Sequence, residues 1–337
     1  MLIIRRKACA RAGFLGNPSD GYHGKTISLT VPVFFAEVVL YEWDDVEIVL
    51  AEQDGARFRS VHELANDVKL HGYYGGIRLI KATIKRFVEY CVQRDIPLHS
   101  RNFSIRYNST IPRQVGLAGS SSIIVATLRA LMAFYDVTMP KEVQPSFVLS
   151  VERDELGIAA GLQDRVIQVY EGLVYMDFSR EAEQSSCGYK HYHYEPLDPG
   201  LLPPVYVAYH SGLSEPTEIF HNDIGGRYRR GEPDVVNAMT RFAEITREGR
   251  QVLLDGDFQR LSELVNENFD LRDRISRLPE WQRRMVFAAR ECGASAKFAG
   301  SGGAIVGIYE GPEMLRRLRD RLDEIEVKTI TPDITAC

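Results

Sequence analysis

A loop rich in glycine and serine runs directly into an apolar, helix-forming segment at residues 112–122. Glycine lets the backbone approach a ligand closely, and the first turn of a helix presents unpaired N–H groups at the positive end of its dipole. This arrangement suits an anion, above all a phosphate, and nearby serine hydroxyls can cap the helix or reach a phosphate-bound Mg²⁺. By itself the segment predicts either a capped helix start or a phosphate-binding loop.

The two familiar nucleotide loops are not matched by this chain. No G-x-G-x-x-G follows a predicted strand, and residues 19–26 approach G-x-x-x-x-G-K-[ST] only with Ser19 in place of the first glycine. That glycine is needed for the tight nest of backbone N–H groups around the phosphate. We therefore reject both matches.

Other residues able to do chemistry stand beside predicted turns and helix starts. They are Arg11 and Asp20 after the first strand, Glu152 on a helix, Asp164 near a helix start, and a second glycine-rich turn at residues 296–304. Loops on a rigid scaffold often carry binding residues, and a carboxylate at a helix N-terminus is stabilised by about 0.3–1 kcal/mol. Each segment also fits an ordinary turn or cap, so only their joint order along the chain points to a shared site.

The elements that must position these residues are strands and helices in mixed order. Hydrophobic periodicity predicts strands in the first fifty residues, a helix at residues 61–70, and further helices and strands beyond it. Because strands and helices do not alternate strictly, the pattern favours an α+β fold over a doubly wound sheet. A polar stretch with prolines at residues 181–204 predicts a boundary between domains 1–190 and 200–337.

Composition limits the class of function. The chain has 337 residues, is 45% hydrophobic and carries a formal net charge of −5, which argues against nucleic-acid binding through a broad basic face. No apolar run reaches membrane-spanning length, so no membrane partner is predicted. Five cysteines are scattered without a C-x-x-C pair, which argues against a disulfide framework or a zinc site and predicts a reducing, cytoplasmic location.

In their order along the chain, the motifs resemble those of the GHMP small-molecule kinases, named for galactokinase, homoserine kinase, mevalonate kinase and phosphomevalonate kinase. The first is similar to the sugar-binding signature of galactokinases, with Arg11, Gly16 and Asp20 in register. Asn17-Pro18 replaces the usual Glu-His pair. This replacement is consistent with an anionic sugar, because removing a nearby carboxylate lessens repulsion.

The second and third family motifs follow in the expected order. The second is the Pro-x-x-x-Gly-Leu-x-Ser-Ser phosphate loop, here with Gly119 as an added residue. The third is the glycine turn at residues 297–303. Within the family the chain most resembles the plant-type glucuronokinases over nearly its whole length, including the segment Tyr73-Tyr74-Gly75-Gly76.

This resemblance implies a fold and a reaction. The family fold has an N-terminal domain like ribosomal protein S5 domain 2 and a ferredoxin-like C-terminal domain, with ATP and substrate in the cleft between them. The implied activity transfers phosphate from ATP, with Mg²⁺ as cofactor, to the anomeric hydroxyl of the sugar acid D-glucuronate. The alternatives are another sugar kinase of the family, acting on fucose, galacturonate or a heptose phosphate, and an ATP- and sugar-binding sensor without turnover.

The resemblance also implies roles for individual residues. Asp164 would accept or orient the proton of the sugar hydroxyl, and Arg11 would keep Asp164 ionised and offset charge in the transition state. Ser121 and Glu152 would hold Mg²⁺, with Ser120 as a rival to Ser121 because of the added loop residue. ATP would lie on Pro112, Gly116, Leu117, Ala118, Gly119, Ser120, Ser121 and Ser122. The sugar would contact Asn17, Asp20, Lys297, Gly300, Ser301, Gly302, Gly303 and Arg229.

The carboxylate of a sugar acid needs a partner that a neutral sugar does not. A bidentate arginine is the most suitable group. The sequence offers several and does not choose among them: Arg113, Arg165, Arg227, Arg229 and Arg230.

Overall fold

The structure is a computed structural model that describes residues 2–49, 75–212 and 224–334. Its strands are β1 Ile3–Leu15, β2 Lys25–Trp43, β3 Glu47–Ile48, β4 Asn102–Ser109, β5 Leu173–Asp177, β6 Gln184–Ser186, β7 Tyr189–His191, β8 His193–Leu197, β9 Val205–His210, β10 Lys297–Phe298, β11 Ala304–Ile308 and β12 Val327–Ile330. Its helices are α1 Gly76–Val92, α2 Gly119–Tyr135, α3 Gln144–Ser150, α4 Gln163–Tyr170, α5 Pro233–Asp255, α6 Phe258–Ile275, α7 Glu280–Glu291 and α8 Gly311–Asp323.

The first sheet is built around β1 and β2, which pair antiparallel along most of their length. The register shifts after Cys9, where the β2 partner changes from Phe35 to Val31. Pro32 lies in the resulting bulge, where its missing N–H interrupts no ladder hydrogen bond. On one side of the bulge β2 pairs with β5, and on the other it pairs with β4. The strand order is β3-β4-β2-β5-β8, with β1 against β2.

Helix α2 packs its apolar side chains against β1 and β2. Ile124, Leu128 and Leu131 are fully buried in a core that also contains Val38 and Ile105 of the sheet. Burying each such side chain is worth about 1.5–3 kcal/mol. This packing holds the N-terminus of α2, where the glycine- and serine-rich loop ends, in a fixed position relative to β1.

The second sheet is antiparallel with the order β10-β11-β9-β12. Its core is continuous with the region below the first sheet: Phe14 of β1 belongs to one cluster with Phe242 of α5, Leu264 of α6 and Val306 of β11. The two halves of the chain therefore share buried apolar surface, which fixes the residues on β1 relative to those on α6 and β10.

The predicted boundary region contains strands rather than an open linker. Strand β8 belongs to the first sheet, and the second sheet begins with β9. The first sheet thus extends past residue 190, and the division into domains 1–190 and 200–337 stays a prediction. The mixed order of strands and helices confirms the predicted α+β class.

The structure bears to different degrees on three remaining expectations from the sequence. The helix predicted at residues 61–70 and the pair Tyr73-Tyr74 lie outside the described residues. Cys9 is disulfide-bonded, which departs from the expectation of unpaired cysteines, whereas Cys91, Cys187 and Cys292 are free. Within the described ranges, no helix combines the length and the apolar character that a membrane crossing would require.

Candidate active site

A cavity of about 440 Å³ collects residues from all three predicted motifs. Arg11 and Asp20 come from the first motif, the loop ending at Ser120 from the second, and Gly300 and Ser301 from the third. Glu152 and Asp164, which stand between these motifs in the sequence, also line it. Segments separated by more than a hundred residues therefore meet in one concave site.

Arg11 and Asp164 form a bidentate ion pair in this cavity. The Nε of Arg11 donates to Oδ1 of Asp164 at 2.6 Å, and Nη2 donates to Oδ2 at 2.7 Å. The Arg11 side chain is 6% exposed, whereas that of Asp164 is 20% exposed. The remaining nitrogen of Arg11 donates to the carbonyl oxygens of Gly116 and Ala299. Arg11 thereby joins the catalytic candidate Asp164 to the phosphate loop and the third motif.

The glycine- and serine-rich loop leads into the N-terminus of α2 as the sequence predicts. Ala118 precedes the helix in the left-handed region with φ of 62°, and Gly116 has φ of 77°. A Cβ on Gly116 would lie 2.9 Å from the carbonyl oxygen of Gly302, so the close contact with the third motif requires glycine. The first N–H groups of α2 have no acceptor within the helix, which makes this end a suitable anion site.

Glu152 is completely buried in a single π-helical turn, Val151–Glu155. Its Oε2 accepts hydrogen bonds from the Nε of Arg165 at 2.6 Å and from Nη2 of the same arginine. Its Oε1 accepts the hydroxyl of Ser120 at 2.8 Å. A π-helical turn re-aims a side chain within a helix. Here the turn carries Glu152, which lines the cavity and bonds to Ser120 at the start of α2.

The structure favours Ser120 over Ser121 as the serine that faces the cavity. Ser120 lines the cavity and bonds to Glu152. Ser121 is fully buried, and its hydroxyl donates to the carbonyl oxygen of Ala118 at 3.3 Å. Ser122 is also buried, and it accepts from Gln168 at 2.7 Å.

The site offers oxygen ligands that suit Mg²⁺. The Ser120 hydroxyl and Glu152 Oε1 lie 2.8 Å apart beside the N-terminus of α2. Mg²⁺ prefers hard oxygen donors, keeps several waters and commonly takes only one or two protein carboxylates together with substrate phosphates. In the part of the chain that the structure describes, no group of three or more His, Cys, Asp or Glu residues is arranged to hold a metal by itself. The donors present therefore fit a metal that a nucleotide brings with it.

Asp20 lies against Asp164 on the same side of the cavity. Its Oδ2 accepts the backbone N–H of Gln163 at 3.4 Å. A Cβ on Gly161 would stand 2.1 Å from this oxygen, so glycine is required for the approach. Burial, together with the negative charge of Asp164, raises the pKa of Asp20 to about 6 despite the nearby arginines. The surroundings of Asp20 thus disfavour its ionised form, and carboxylates with such shifted pKa values are typical of functional sites.

The third motif borders the cavity, but only some of its residues that we expect to bind substrate line it. Gly300 and Ser301 line it, whereas Lys297, Gly302 and Gly303 lie behind it. The Lys297 amine is 1% exposed and donates to the carbonyl oxygens of Gly13 and Phe298 and to the side chain of Asn17. Burial lowers its pKa well below the usual value, with nearby Arg272 and Arg11 adding to the effect. Lys297 therefore bonds to Asn17, which lines the cavity, and does not itself line it.

Helix α6 supplies two polar residues that the sequence analysis missed. Asn268 accepts the N–H of Gly16 at 2.6 Å, and Arg272 donates to the carbonyl oxygens of Gly300 and Ser301 at 2.7 and 2.8 Å. Residues four apart lie on one face of a helix. Both are buried beside apolar residues such as Leu271. Two polar residues four apart on an otherwise apolar helix face are the feature by which the sequence could have indicated them. Burial lowers the pKa of Arg272 to about 9.

The arginines considered for a sugar carboxylate separate into two groups. Arg113 and Arg165 line the cavity. Arg227 and Arg230 pair with Glu232 instead. Arg229 is exposed and is absent from the described lining of the cavity.

Known proteins resemble this chain over most of its length. The family model for the GHMP kinases N terminal domain matches residues 78–172, and the model for the GHMP kinases C terminal matches residues 250–326. Glucuronokinase 1 of Arabidopsis thaliana is 44% identical over 324 residues, which cover 94% of this chain and 88% of that protein. Probable glucuronokinase 2 of the same plant is 42% identical over 94% of this chain and 88% of its own length.

Solved structures support the same fold. Galactokinase of Lactococcus lactis, crystallised with galactose, superposes with a TM-score of 0.76 over 98% of this chain and 93% of that one, at 14% sequence identity. At this identity the likeness concerns the fold alone. The family itself follows from the high identity to the two plant proteins and from the matching domain models. This chain belongs to the GHMP kinases and has their two-domain fold.

Proposed function

We propose that this protein transfers the γ-phosphoryl group of ATP to the anomeric hydroxyl of D-glucuronate, releasing D-glucuronate 1-phosphate and ADP. The choice of glucuronate rests on the 44% identity to a protein named glucuronokinase. The chemistry rests on one geometric observation, the bidentate Arg11–Asp164 pair beside the N-terminus of α2.

Asp164 is proposed to take the proton of the sugar hydroxyl or to orient that hydroxyl for attack. An ionised carboxylate has about four lone-pair sites, and Arg11 engages only part of them. The 20% exposure of the Asp164 side chain supports access from the cavity. Arg11 keeps Asp164 ionised and lies where negative charge develops during phosphoryl transfer.

Phosphoryl transfer asks a protein mainly for positioning and for neutralisation of charge. In our proposal the N–H groups at residues 116–120 bind the phosphates, aided by the dipole of α2. Ser120 and Glu152 are the residues that would hold Mg²⁺, which when bound offsets the charge of the phosphate oxygens. Arg165 compensates the buried charge of Glu152 by bonding to Oε2. The other oxygen, Oε1, is thereby directed toward Ser120.

Initial rates with ATP and a panel of sugars test this function. We expect kcat/KM to be highest for D-glucuronate and much lower for galacturonate, fucose and a heptose phosphate. Faster phosphorylation of a neutral sugar would overturn the choice of substrate. Binding of ATP and sugar without release of ADP would instead support a sensor. We also propose a cytoplasmic location, which fractionation of the native host would test.

A further inference from the structure

Gln163 lines the cavity but has no role in the proposed phosphoryl transfer. It is the first residue of α4, it immediately precedes Asp164, and it is 3% exposed. Its backbone N–H donates to Asp20, and its side chain is not part of that hydrogen bond. Gln163 lines the same cavity as the two carboxylates Asp20 and Asp164.

The carboxamide of Gln163 packs against β1 at Gly13, where there is no side chain. A Cβ on Gly13 would lie 2.5 Å from Nε2 of Gln163 and 3.2 Å from Cγ of Asn17. Glycine at position 13 is therefore what admits the amide beside the strand. Gly13 is itself held in place, because its N–H donates to the carbonyl oxygen of Ala299 at 2.7 Å.

Within the described residues, Oε1 of Gln163 is buried and has no hydrogen-bond partner. Leaving a buried acceptor unsatisfied costs about 1–3 kcal/mol, and such groups are rare unless a ligand or water completes them. A carboxamide both accepts and donates, and a hydroxyl group is its natural complement because it can do the same. The acceptor sugar of the proposed reaction carries several such groups.

We propose that Gln163 is a specificity-determining residue whose carboxamide hydrogen-bonds a ring hydroxyl of the acceptor sugar. The inference rests on the proposed function, because it needs the sugar to bind beside Asp164. Because Gln163 and Asp164 line the same cavity, we assign to Gln163 a hydroxyl close to the one that meets Asp164. The 2-hydroxyl, next to the anomeric centre, is the group we assign.

Gln168 offers a matched control on the same helix. It is 2% exposed and its Oε1 also lacks a partner among the described residues, but its Nε2 donates to Ala118 and Ser122 behind the phosphate loop. Gln168 is absent from the described lining of the cavity. Gln163→Met and Gln168→Met therefore both remove a carboxamide. In the first case it belongs to a cavity-lining residue, and in the second it bonds to the phosphate loop from behind.

The experiment measures thermal stability and steady-state kinetics of wild type, Gln163→Met and Gln168→Met, with D-glucuronate and its 2-deoxy analogue. For Gln163→Met we expect a KM for glucuronate raised about three- to tenfold, an unchanged KM for ATP and a melting temperature equal to or above wild type. With the 2-deoxy analogue, wild type and Gln163→Met should have equal KM. For Gln168→Met we expect a lower melting temperature, because two hydrogen bonds are lost.

Several results would overturn the inference. An unchanged KM for glucuronate in Gln163→Met would do so, as would an equal loss with the 2-deoxy analogue, which would indicate a purely structural role. These outcomes are distinct from failure of the proposed function, which would appear in wild type as preference for another sugar. In that case the same comparison is made with the preferred sugar and its 2-deoxy form. Wild type that phosphorylates no sugar would overturn both.

Discussion

Replacing Asp20 with asparagine should stabilise the protein while weakening its binding of sugar. Asparagine has nearly the same shape, and its Oδ1 can still accept the N–H of Gln163. What it removes is a negative charge that is buried against Asp164. Stability and function should therefore change in opposite directions, as they do where a site holds an unfavourable charge for its ligand.

The size of the effect follows from the raised pKa of Asp20. The folded protein holds this proton more tightly than the unfolded chain, so ionisation costs stability as the pH rises from 3.8 towards about 6. A pKa raised from 3.8 to about 6 corresponds to about 3 kcal/mol at neutral pH. At about pH 4.5 the same relation gives a destabilisation by ionised Asp20 of only about 1 kcal/mol. The advantage of the variant should thus shrink by about 2 kcal/mol between about pH 7.5 and pH 4.5.

Urea unfolding of wild type and Asp20→Asn at the two pH values measures this difference directly. Groups that do not interact with Asp20 titrate alike in both proteins and cancel in the comparison. Asp45→Asn, at an exposed position, reports the effect of removing one surface charge. If Asp20→Asn is less stable than wild type at about pH 7.5, or if its advantage does not change with pH, the placement of Asp20 against Asp164 is wrong.

Three further substitutions test the remaining parts of the site. Asp164→Asn should lower kcat about 10²- to 10⁴-fold while the affinity for ATP, measured by calorimetry, stays near that of wild type; unchanged turnover would refute the role of Asp164. Ser120→Ala should raise the Mg²⁺ concentration needed for half-maximal rate, whereas Ser121→Ala should not; the reverse result would show that our loop register is wrong. Arg165→Met should destabilise the fold by about 3–5 kcal/mol in urea, because it leaves Glu152 buried without its ionic partner. Adding Glu152→Gln to that variant should restore part of the loss, and a wild-type midpoint for the single variant would contradict the pairing.

Much of the site follows from local chemistry that a sequence shows. The loop before α2 is recognised from glycines and serines beside an apolar helix, because backbone freedom and helix-terminal N–H groups are local properties. The same holds for Asp164 at the start of α4 and for the turn around Gly300. These features depend on neighbours in the chain, and the structure places residues of all three motifs around one cavity.

Other features depend on distant contacts and could not be predicted in this way. Lys297 stands in a motif that suggests ligand binding, yet its buried amine bonds to Gly13 of β1 and to Asn17. Arg229 belongs to a basic cluster, yet it is exposed and away from the described cavity lining. Which way a side chain points depends on the element packed against it, and sequence spacing does not contain that information.

The sequence by itself determined the family, the α+β class and the order of the three motifs, because each of these is written in local pattern. Only the tertiary structure decided which serine meets Glu152, that Arg11 binds Asp164 through two nitrogens, and that Gln163, a cavity-lining residue, holds a buried oxygen without a partner among the described residues. The physical reason is the same in each case. Hydrogen bonds depend on distances of a few tenths of an ångström between segments far apart in the chain, and these distances are set by the shared core that joins the two sheets.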